Sequence, residues 1–281
     1  MAASANSESA VVLDWPIPEV ARITLDRGDA LNTLTYEMIE GLDRAIEQAR
    51  ESGARVAVVT GSGKAFCCGA HVKYFTDPAS PLHDNAAAIR DAYVQRLLGT
   101  FRKFQDMPFA TVAAINGFAF GGGCELALSC DFRLMAADAR IGLTEVRLGA
   151  LPGGGGVQLL SKLIGRARAL EMILLGDQWS AEEARVAGLV TAIYPAGDLA
   201  GEALVLARRL LACSPVSISE AKRAVFRCEA ADVDEADKIA LDAVAFVASG
   251  RDWREGMAAF AERRLPDFAA NGNPRGNATA E

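Results

Sequence analysis

Along the first part of the chain, stretches in which apolar residues follow a strand pattern alternate with a stretch in which they follow helical spacing. This order predicts strands separated by a helix. Val20–Leu25 alternates in the manner of a strand, and Val11-Val12 can begin its hairpin partner. The apolar residues of Tyr36–Glu51 fall on one stripe with helical spacing. Arg55–Thr60 is apolar through its middle, as central parallel strands are. This strand–helix–strand order predicts a βαβ unit with a right-handed crossover.

The same two spacings continue to about residue 195. An amphipathic helix is expected over Ala86–Phe104, and Ser180 and Glu183 have the spacing of a capping box at a helix start. Further strands are expected at Phe109–Ile115, Phe132–Met135 and Val190–Tyr194. Beyond residue 195 the pattern predicts helices without strands, at Asp198–Ala212, Val216–Cys228, Val233–Val247 and Asp252–Arg264.

This change of pattern predicts an α/β core at residues 16–197 that holds the candidate site, followed by a helical region at residues 198–268. The opening MAASANSESA is small and polar, and it lacks the features of a signal or transit peptide. We therefore predict a disordered leader at residues 1–15 and a polar tail at residues 269–281. Thr76–Asn85 contains Pro, Asp and Ser, and it is predicted to be a mobile loop.

Composition narrows the classes of function. The chain has 281 residues, of which 51% are hydrophobic, so it can bury a sizeable core. Its net charge of −7 argues against a nucleic-acid partner, and the apolar run at Phe109–Ile115 is too short to cross a membrane. Six cysteines without a C-x-x-C pair predict reduced thiols in a cytoplasmic protein. Two histidines, His71 and His83, are too few for a His-rich metal site.

The most informative stretch is PFATVAAINGFAFGGGCELALSCD, from Pro108 to Asp131. It predicts a buried strand, a turn at Gly121–Gly123 and then a helix, which leaves backbone N–H groups free at the helix start. Glu125 lies in the first turn of that helix. A backbone donor beside a carboxylate suits a reaction in which an oxyanion develops while a proton moves. The alternative is a tight packing turn followed by an acidic residue that the helix dipole favours.

A second glycine-containing stretch, GSGKAFCCGA, follows the strand at Arg55–Thr60. Gly61–Lys64 suggests a phosphate-binding loop, but Ala65 stands where such a loop needs Ser or Thr. The favoured interpretation is a second backbone donor at Gly69-Ala70, because open α/β sheets bind ligands at the carboxyl ends of their strands. The adjacent thiols Cys67 and Cys68 are interpreted as small apolar packing residues.

Several stretches together resemble one family. INGFAFGGGCELALSCD and IGLTEVRLGALPGGGGVQLL closely resemble the enoyl-CoA hydratase/isomerase, or crotonase, family, as do ALNTL, GKAFCCGAHV, GDQWSAEEARVAGLV and REGMAAFAERR. The likeness runs from about Val20 to Phe268 with the motifs in the family's order. It implies a crotonase-like spiral of ββα units, a helical C-terminal region for assembly, and a homotrimer or a dimer of trimers.

The resemblance also assigns roles to individual positions. It implies that Glu125 and Glu145 are the two catalytic carboxylates, which position one water and transfer its proton. It implies an oxyanion hole formed by the backbone N–H groups of Ala70 and Gly122. The substrate and its CoA portion are expected along loop residues that the family's motifs contain: Leu31, Lys64, Ala65, Cys68, Gly69, His71, Phe118, Gly121, Thr144 and Gly153.

The residues near the C-terminus admit two interpretations. The resemblance implies that Phe260 and Arg263 approach the CoA phosphates from a neighbouring subunit. The alternative for Arg263-Arg264 is a solvated helix end, where cations are favoured. Two positions depart from the commonest family pattern: His71 stands where an acidic residue is usual, and Thr144 precedes Glu145. His71 can adjust the acyl specificity near the thioester or merely face solvent, and the second interpretation is preferred.

The resemblance therefore implies an enoyl-CoA hydratase that acts on a 2-trans-enoyl-CoA. The alternatives are a double-bond isomerase or a specialised acyl-CoA dehydratase or lyase of the same family, because all of these use the same enolate. A non-catalytic or RNA-binding relative of the fold is disfavoured by the intact pair of carboxylates and the absence of a basic stripe. No metal or redox cofactor is implied, since CoA enters as part of the substrate.

Overall fold

The computed structural model of the chain describes residues 9–268, and these form two β-sheets with helices around them. The strands are β1 (Val11–Ile17), β2 (Val20–Leu25), β3 (Val56–Gly61), β4 (Ala65–Cys67), β5 (Ala110–Ile115), β6 (Phe118–Phe120), β7 (Phe132–Ala136), β8 (Arg140–Gly142), β9 (Trp179–Ser180) and β10 (Ala192–Tyr194). The predicted strands are confirmed, with ends that differ by up to two residues.

The larger sheet has the order β1-β2-β3-β5-β7-β10, and the smaller sheet has the order β4-β6-β8-β9. Strands β2, β3, β5, β7 and β10 pair in parallel, and all six residues of β5 are buried. A fully apolar strand is what a parallel sheet covered on both faces requires. Only the edge strand β1 pairs antiparallel in this sheet.

The two sheets generate a repeated ββα unit. A strand of the larger sheet is followed by a short strand of the smaller sheet and then by helix: β3 and β4 precede α2, β5 and β6 precede α5, and β7 and β8 precede α6. The helices of this region are α1 (Tyr36–Glu51), α2 (Lys73–Thr76), α3 (Ala86–Ala88), α4 (Gln95–Asp106), α5 (Gly122–Ser129), α6 (Gly156–Leu175) and α7 (Ala181–Val186). The predicted spiral of ββα units is confirmed.

Two helices differ in detail from their predicted form. The helix expected over Ala86–Phe104 contains a π-helical stretch at Ile89–Val94 between α3 and α4. The long helix α6 is interrupted at Gly165, whose φ of 77° is not helical. Helix α7 begins at the predicted capping box, because the Ser180 hydroxyl accepts from Glu183 N–H and the Glu183 carboxylate accepts from Ser180 N–H.

The four C-terminal helices are α8 (Leu199–Leu211), α9 (Pro215–Cys228), α10 (Val233–Ser249) and α11 (Arg251–Glu262). Within residues 9–268 no strand follows β10. Helix α8 contributes three residues to the main hydrophobic cluster, which are Leu199, Ala203 and Ala207. No helix in the described part of the chain has the length and apolar composition that a membrane span needs.

The predicted leader at residues 1–15 is wrong for its last part. Val11 pairs with Leu25, and Leu13 pairs with Ile23, so this segment belongs to β1. The apolar alternation of Val11-Val12 already indicated a hairpin partner, and burial of Val11 against α1 fixes the strand. Residues 1–8 and the predicted tail at 269–281 lie outside the described residues. The boundary near residue 198 stays a prediction.

Helix α9 is held on the core by a buried cation. The Lys222 ammonium donates to the carbonyls of Phe104 and Phe109, at 2.9 and 3.2 Å, and to the Asp131 carboxylate at 2.8 Å. The side chains of Lys222 and Asp131 are only 8% and 17% exposed. All three ammonium donors therefore bind groups at the ends of α4, β5 and β7.

Removal of this cation tests how firmly α9 is attached. We expect Lys222→Met to lower the free energy of unfolding by about 3 kcal/mol, because it leaves a buried carboxylate without its partner. The matched control is Lys162→Met, which breaks the more exposed pair with Glu229 and is expected to cost less than about 1 kcal/mol. Urea unfolding measures both. Equal losses for the two variants would show that the Lys222 pair contributes no more than a surface pair.

Candidate active site

The glycine turn lies where β6 of the smaller sheet meets α5. Gly121 has a φ of 53°, which favours glycine, and Gly122 is the first residue of α5. The Gly122 N–H therefore has no partner inside its own helix. A Cβ on Gly123 would lie 1.9 Å from the Cys67 carbonyl oxygen, so the start of α5 and the end of β4 approach as only glycine permits. All eight residues of α5 are buried.

The second predicted donor lies on the segment that crosses this turn. A Cβ on Gly69, whose φ is 79°, would lie 2.8 Å from the Phe120 carbonyl oxygen and 3.1 Å from the Gly122 nitrogen. Ala70 forms an isolated parallel bridge with Leu34, and Leu34 N–H donates to the Gly69 carbonyl at 2.8 Å. The structure thus brings together the two backbone segments that contain Ala70 and Gly122.

Glu125 is held rigidly in the first turn of α5. Its side chain is buried, and Oε1 accepts from Gly154 N–H at 2.7 Å and from Gly156 N–H at 2.9 Å. Burial raises the pKa of this carboxyl to about 7; the Glu145 charge adds to the rise, and the two N–H donors oppose it. A buried carboxyl with a pKa near neutrality can both take and return a proton under ordinary conditions.

Glu145 begins a single 3₁₀ turn, Glu145–Leu148, after β8. A Cβ on Gly121 would lie 3.2 Å from Glu145 Oε1, which places this carboxylate against the glycine turn. Burial raises its pKa, and Oε2 is buried without a hydrogen-bond partner among the described residues. Because buried polar atoms are nearly always paired, this oxygen is available to a bound molecule.

Comparisons with known proteins identify the family to which the chain belongs. The sequence profile described as Enoyl-CoA hydratase/isomerase matches residues 18–271. This chain belongs to the enoyl-CoA hydratase/isomerase family. It is 36% identical over 250 residues to a probable enoyl-CoA hydratase (echA8) of Mycobacterium tuberculosis, covering 89% of this chain and 94% of that protein. It is 34% identical over 250 residues to the mitochondrial enoyl-CoA hydratase of Pongo abelii, covering 89% and 83%.

Solved structures of the family share the fold. The structure of an enoyl-CoA hydratase from Bacillus anthracis superposes with a TM-score of 0.86 at 36% identity, covering 92% of this chain and 98% of that one. The crotonase-like fold that the motifs implied is therefore shown. The roles of individual site residues stay predictions.

One group of the predicted substrate-binding residues lies along the segment that leads from Lys64 to Ala70. Cys68 N–H donates to the Leu31 carbonyl at 3.0 Å, and Leu31 has a left-handed φ of 56°. Lys64 is exposed, and Ala65 is buried. The turn that contains Gly61–Lys64 leads into β4 and not into a helix, so it lacks the helix N-terminus of a phosphate-binding loop.

A second group lies on β6 and on the segment that follows β8. Phe118 is 36% exposed, and its ring stacks on Phe120 with 5.5 Å between centroids. Thr144 is half-buried and directly precedes Glu145. Gly153 faces the π-helical stretch, because a Cβ there would lie 2.8 Å from Val94 Cγ1. The N–H of Phe118 donates to the Lys64 carbonyl at 3.3 Å, so this residue joins the two groups.

The preferred interpretation that His71 faces solvent is wrong. It is half-buried, its Nδ1 lies 3.2 Å from the Thr33 hydroxyl, and its ring contacts the Tyr74 ring edge-on with 5.0 Å between centroids. Burial and the nearby charges of Lys73 and Arg27 lower the pKa of the imidazole. The neutral ring therefore packs between two loops next to Ala70.

The C-terminal residues lie at the end of α11. Phe260 is 84% exposed, and Arg263 ends the helix with a left-handed φ of 56°. Arg264 pairs with Glu255 and Glu262, which fits a solvated helix end for that residue. Contact of Phe260 or Arg263 with CoA in a neighbouring subunit stays a prediction. Within residues 9–268 no group of three or more His, Cys, Asp or Glu side chains is arranged to hold a metal ion.

Some residues that build the site were not singled out from the sequence. The N–H groups of Gly154 and Gly156 fix Glu125, although these two glycines had no predicted role. Asn32, in the ALNTL motif, is fully buried and hydrogen-bonded to the turn that contains Lys64. A polar residue inside an apolar motif was the available signal, because buried amides require partners.

The raised pKa of Glu125 makes a prediction about stability. From its ordinary value of 4.5 to about 7, the folded protein binds this proton more tightly than the unfolded chain, so wild-type stability falls as pH rises through that window. Relative to wild type, Glu125→Gln should gain about 2 kcal/mol between about pH 5.5 and about pH 8.5. Urea unfolding at the two pH values measures this difference.

The matched control for this experiment is Glu255→Gln. Arg264 lowers the pKa of Glu255 to about 2, below the window tested, so the difference between this variant and wild type should stay constant. A Glu125→Gln variant that shows the same constant difference would mean that Glu125 is ionised in both states throughout the window.

Proposed function

We propose that the chain is an enoyl-CoA hydratase, which adds water reversibly across the 2-trans double bond of an enoyl-CoA thioester. The observation that supports this most directly is that the buried Glu125 and the half-buried Glu145 both lie at one glycine turn. That turn also holds the Gly122 N–H and lies against the Ala70 segment. Family membership supports an acyl-CoA substrate.

The backbone donors supply the electrostatic part of the reaction. We infer that the N–H groups of Ala70 and Gly122 bind the thioester carbonyl oxygen, which becomes negatively charged when the enolate forms. Donors fixed by packing need no reorganisation, so each stabilises a developing oxyanion by about 2 kcal/mol or more. The close backbone contact at Gly69 fixes one segment relative to the other.

The carboxylates supply the proton chemistry. Hydration puts the hydroxyl of water on Cβ and a proton on Cα, so one group accepts a proton from water and one delivers a proton to carbon. Glu125 Oε1 is occupied by two N–H groups, which leaves Oε2 for the water. Glu145 Oε2 is buried and without a partner in the described part of the chain, and it completes the pair.

The CoA portion is proposed to lie along Leu31, Lys64, Ala65, Cys68 and Ala70. The chain has a net charge of −7, yet positive charges gather near this segment. Lys64 acts on the Cys68 thiol, and Arg27 and Lys73 act on His71, in each case through their charge. A local positive field of this kind favours the anionic phosphates of CoA.

The oligomeric state and the cellular location are also part of the proposal. We infer a homotrimer or a dimer of trimers, which fits apolar side chains left exposed on α6, including Leu163, Leu170 and Leu174. A cytoplasmic location rests on the sequence-based reading of the cysteines. No cofactor besides the CoA of the substrate is required by the proposed reaction.

The proposal is tested by the ultraviolet absorbance of crotonyl-CoA. Wild type should remove the absorbance of the conjugated thioester, and the product should have gained the mass of one water. Glu125→Gln and Glu145→Gln should each lower kcat by about 10² to 10⁴, which is the usual contribution of an acid or base. Glu182→Gln, which changes an exposed glutamate of α7, is the control that should retain full activity.

Other outcomes would direct the assignment elsewhere. A product of unchanged mass with a moved double bond would indicate an isomerase, because that reaction transfers a proton between carbons without adding water. Hydration that survives both substitutions would show that the carboxylates have been assigned wrongly.

A further inference from the structure

Asn32 occupies an unusual backbone position between β2 and α1. It is fully buried, its φ is 52°, and Leu31 before it has a φ of 56°. Two successive left-handed residues that are not glycine are uncommon, because Cβ crowds the following carbonyl. Such conformations persist where the surrounding contacts fix them, and they gather at functional sites.

The Asn32 side chain joins two segments of the fold. Its Oδ1 accepts from Arg27 N–H at 2.8 Å, just beyond β2. Its Nδ2 donates to the Ser62 carbonyl at 3.0 Å and to the Ala65 carbonyl at 2.8 Å. Both amide hydrogens are therefore used on the segment at residues 61–65 that connects β3 with β4, called here the 61–65 turn.

Asn116 holds the same turn from the other side. Its Oδ1 accepts from Gly61 N–H at 2.9 Å, and its Nδ2 donates to the Gly63 carbonyl at 3.1 Å and to the Ala65 carbonyl at 3.4 Å. Asn32 and Asn116, together called the asparagine clamp, thus bind the backbone of the turn at both ends. A segment of this length otherwise has few backbone partners of its own.

The clamped turn is continuous with the segment that contains Ala70, one of the two proposed oxyanion donors. It presents the exposed Lys64, and β4 then leads directly to Cys68 and Ala70. The strained loop that holds Asn32 also binds the far end of this path, because Leu31 accepts from Cys68 N–H at 3.0 Å. One short loop therefore fixes both the turn and the segment beside the proposed reaction centre.

We propose that Asn32 and Asn116 are positioning residues that hold the 61–65 turn in the shape that binds the nucleotide portion of a CoA thioester. Neither side chain contacts the reacting atoms; each acts through the turn. The proposal rests on the proposed function, because it takes Lys64 and Ala65 as CoA contacts. It predicts that the clamp distinguishes a complete CoA ester from a thioester without the nucleotide.

The test compares two substrates for each variant. Crotonyl-CoA has the nucleotide, whereas crotonyl-N-acetylcysteamine keeps the thioester and the acyl group but lacks it. Asn32→Gly retains a residue suited to positive φ and removes the side-chain hydrogen bonds. We expect its kcat/KM to fall about tenfold more with crotonyl-CoA than with the truncated ester, because remote binding energy is lost from one substrate alone. Asn116→Ala should change the ratio in the same direction.

The control is a buried variant far from the turn. Thr111→Val removes hydroxyl hydrogen bonds to Phe104 and Asp131 at the opposite end of β5 from Asn116, so it should reduce stability without changing the ratio. Losses that are equal for both substrates in Asn32→Gly, as in this control, would overturn the proposal and leave Asn32 a purely structural residue.

A binding measurement separates this proposal from the hydratase assignment. Calorimetry with butyryl-CoA, which has no double bond to hydrate, should show a dissociation constant about tenfold weaker in Asn32→Gly than in wild type. If wild type binds butyryl-CoA but hydrates neither crotonyl ester, the hydratase assignment fails and the clamp is still judged by this constant. Unchanged affinity in Asn32→Gly would overturn the clamp alone.

Discussion

The structure depends on one close contact between two backbone segments. The end of β4 and the start of α5 approach so closely that a Cβ on Gly123 or Gly69 would collide with a carbonyl oxygen of the other segment. Interiors packed at this density do not deform continuously, so the contact fixes the relation of the two proposed oxyanion donors. The ββα spiral brings these segments together, since β4 and β6 pair side by side in the smaller sheet and lead directly into them.

At this site the burial that suits a carboxylate for proton transfer also reduces the stability of the folded protein. Glu125 is buried on the first turn of α5 with two N–H donors on one oxygen, and burial still raises its pKa to about 7. An exposed glutamate with an ordinary pKa would not reduce the stability of the fold, but it would be a weak base. A buried glutamate with a raised pKa can exchange protons near neutral pH. Glu145 completes the pair with an oxygen that has no partner in the part of the chain that the structure describes.

The loops beside the donors extend the same constraint toward the proposed CoA site. Asn32 binds the 61–65 turn through its amide while its left-handed backbone turns Leu31 toward Cys68. In the proposed function, recognition of the nucleotide and placement of the thioester both depend on the hydrogen bonds of this one loop. Such an arrangement would let the binding energy of the nucleotide help to orient the thioester.

The sequence by itself determined the elements and the identity of the candidate groups. The spacing of apolar residues predicted α1 at Tyr36–Glu51 and the buried strand β5, because periodicity is a local consequence of burial. The motifs indicated Glu125 and Glu145, and their chemistry follows from residue type. Only the tertiary structure decided that Gly154 and Gly156 hold Glu125, that His71 packs on Tyr74, and that Asn32 binds Ser62 and Ala65. These contacts join residues distant in the chain, and a hydrogen bond or a pKa shift exists only once folding has set the distance and removed the water.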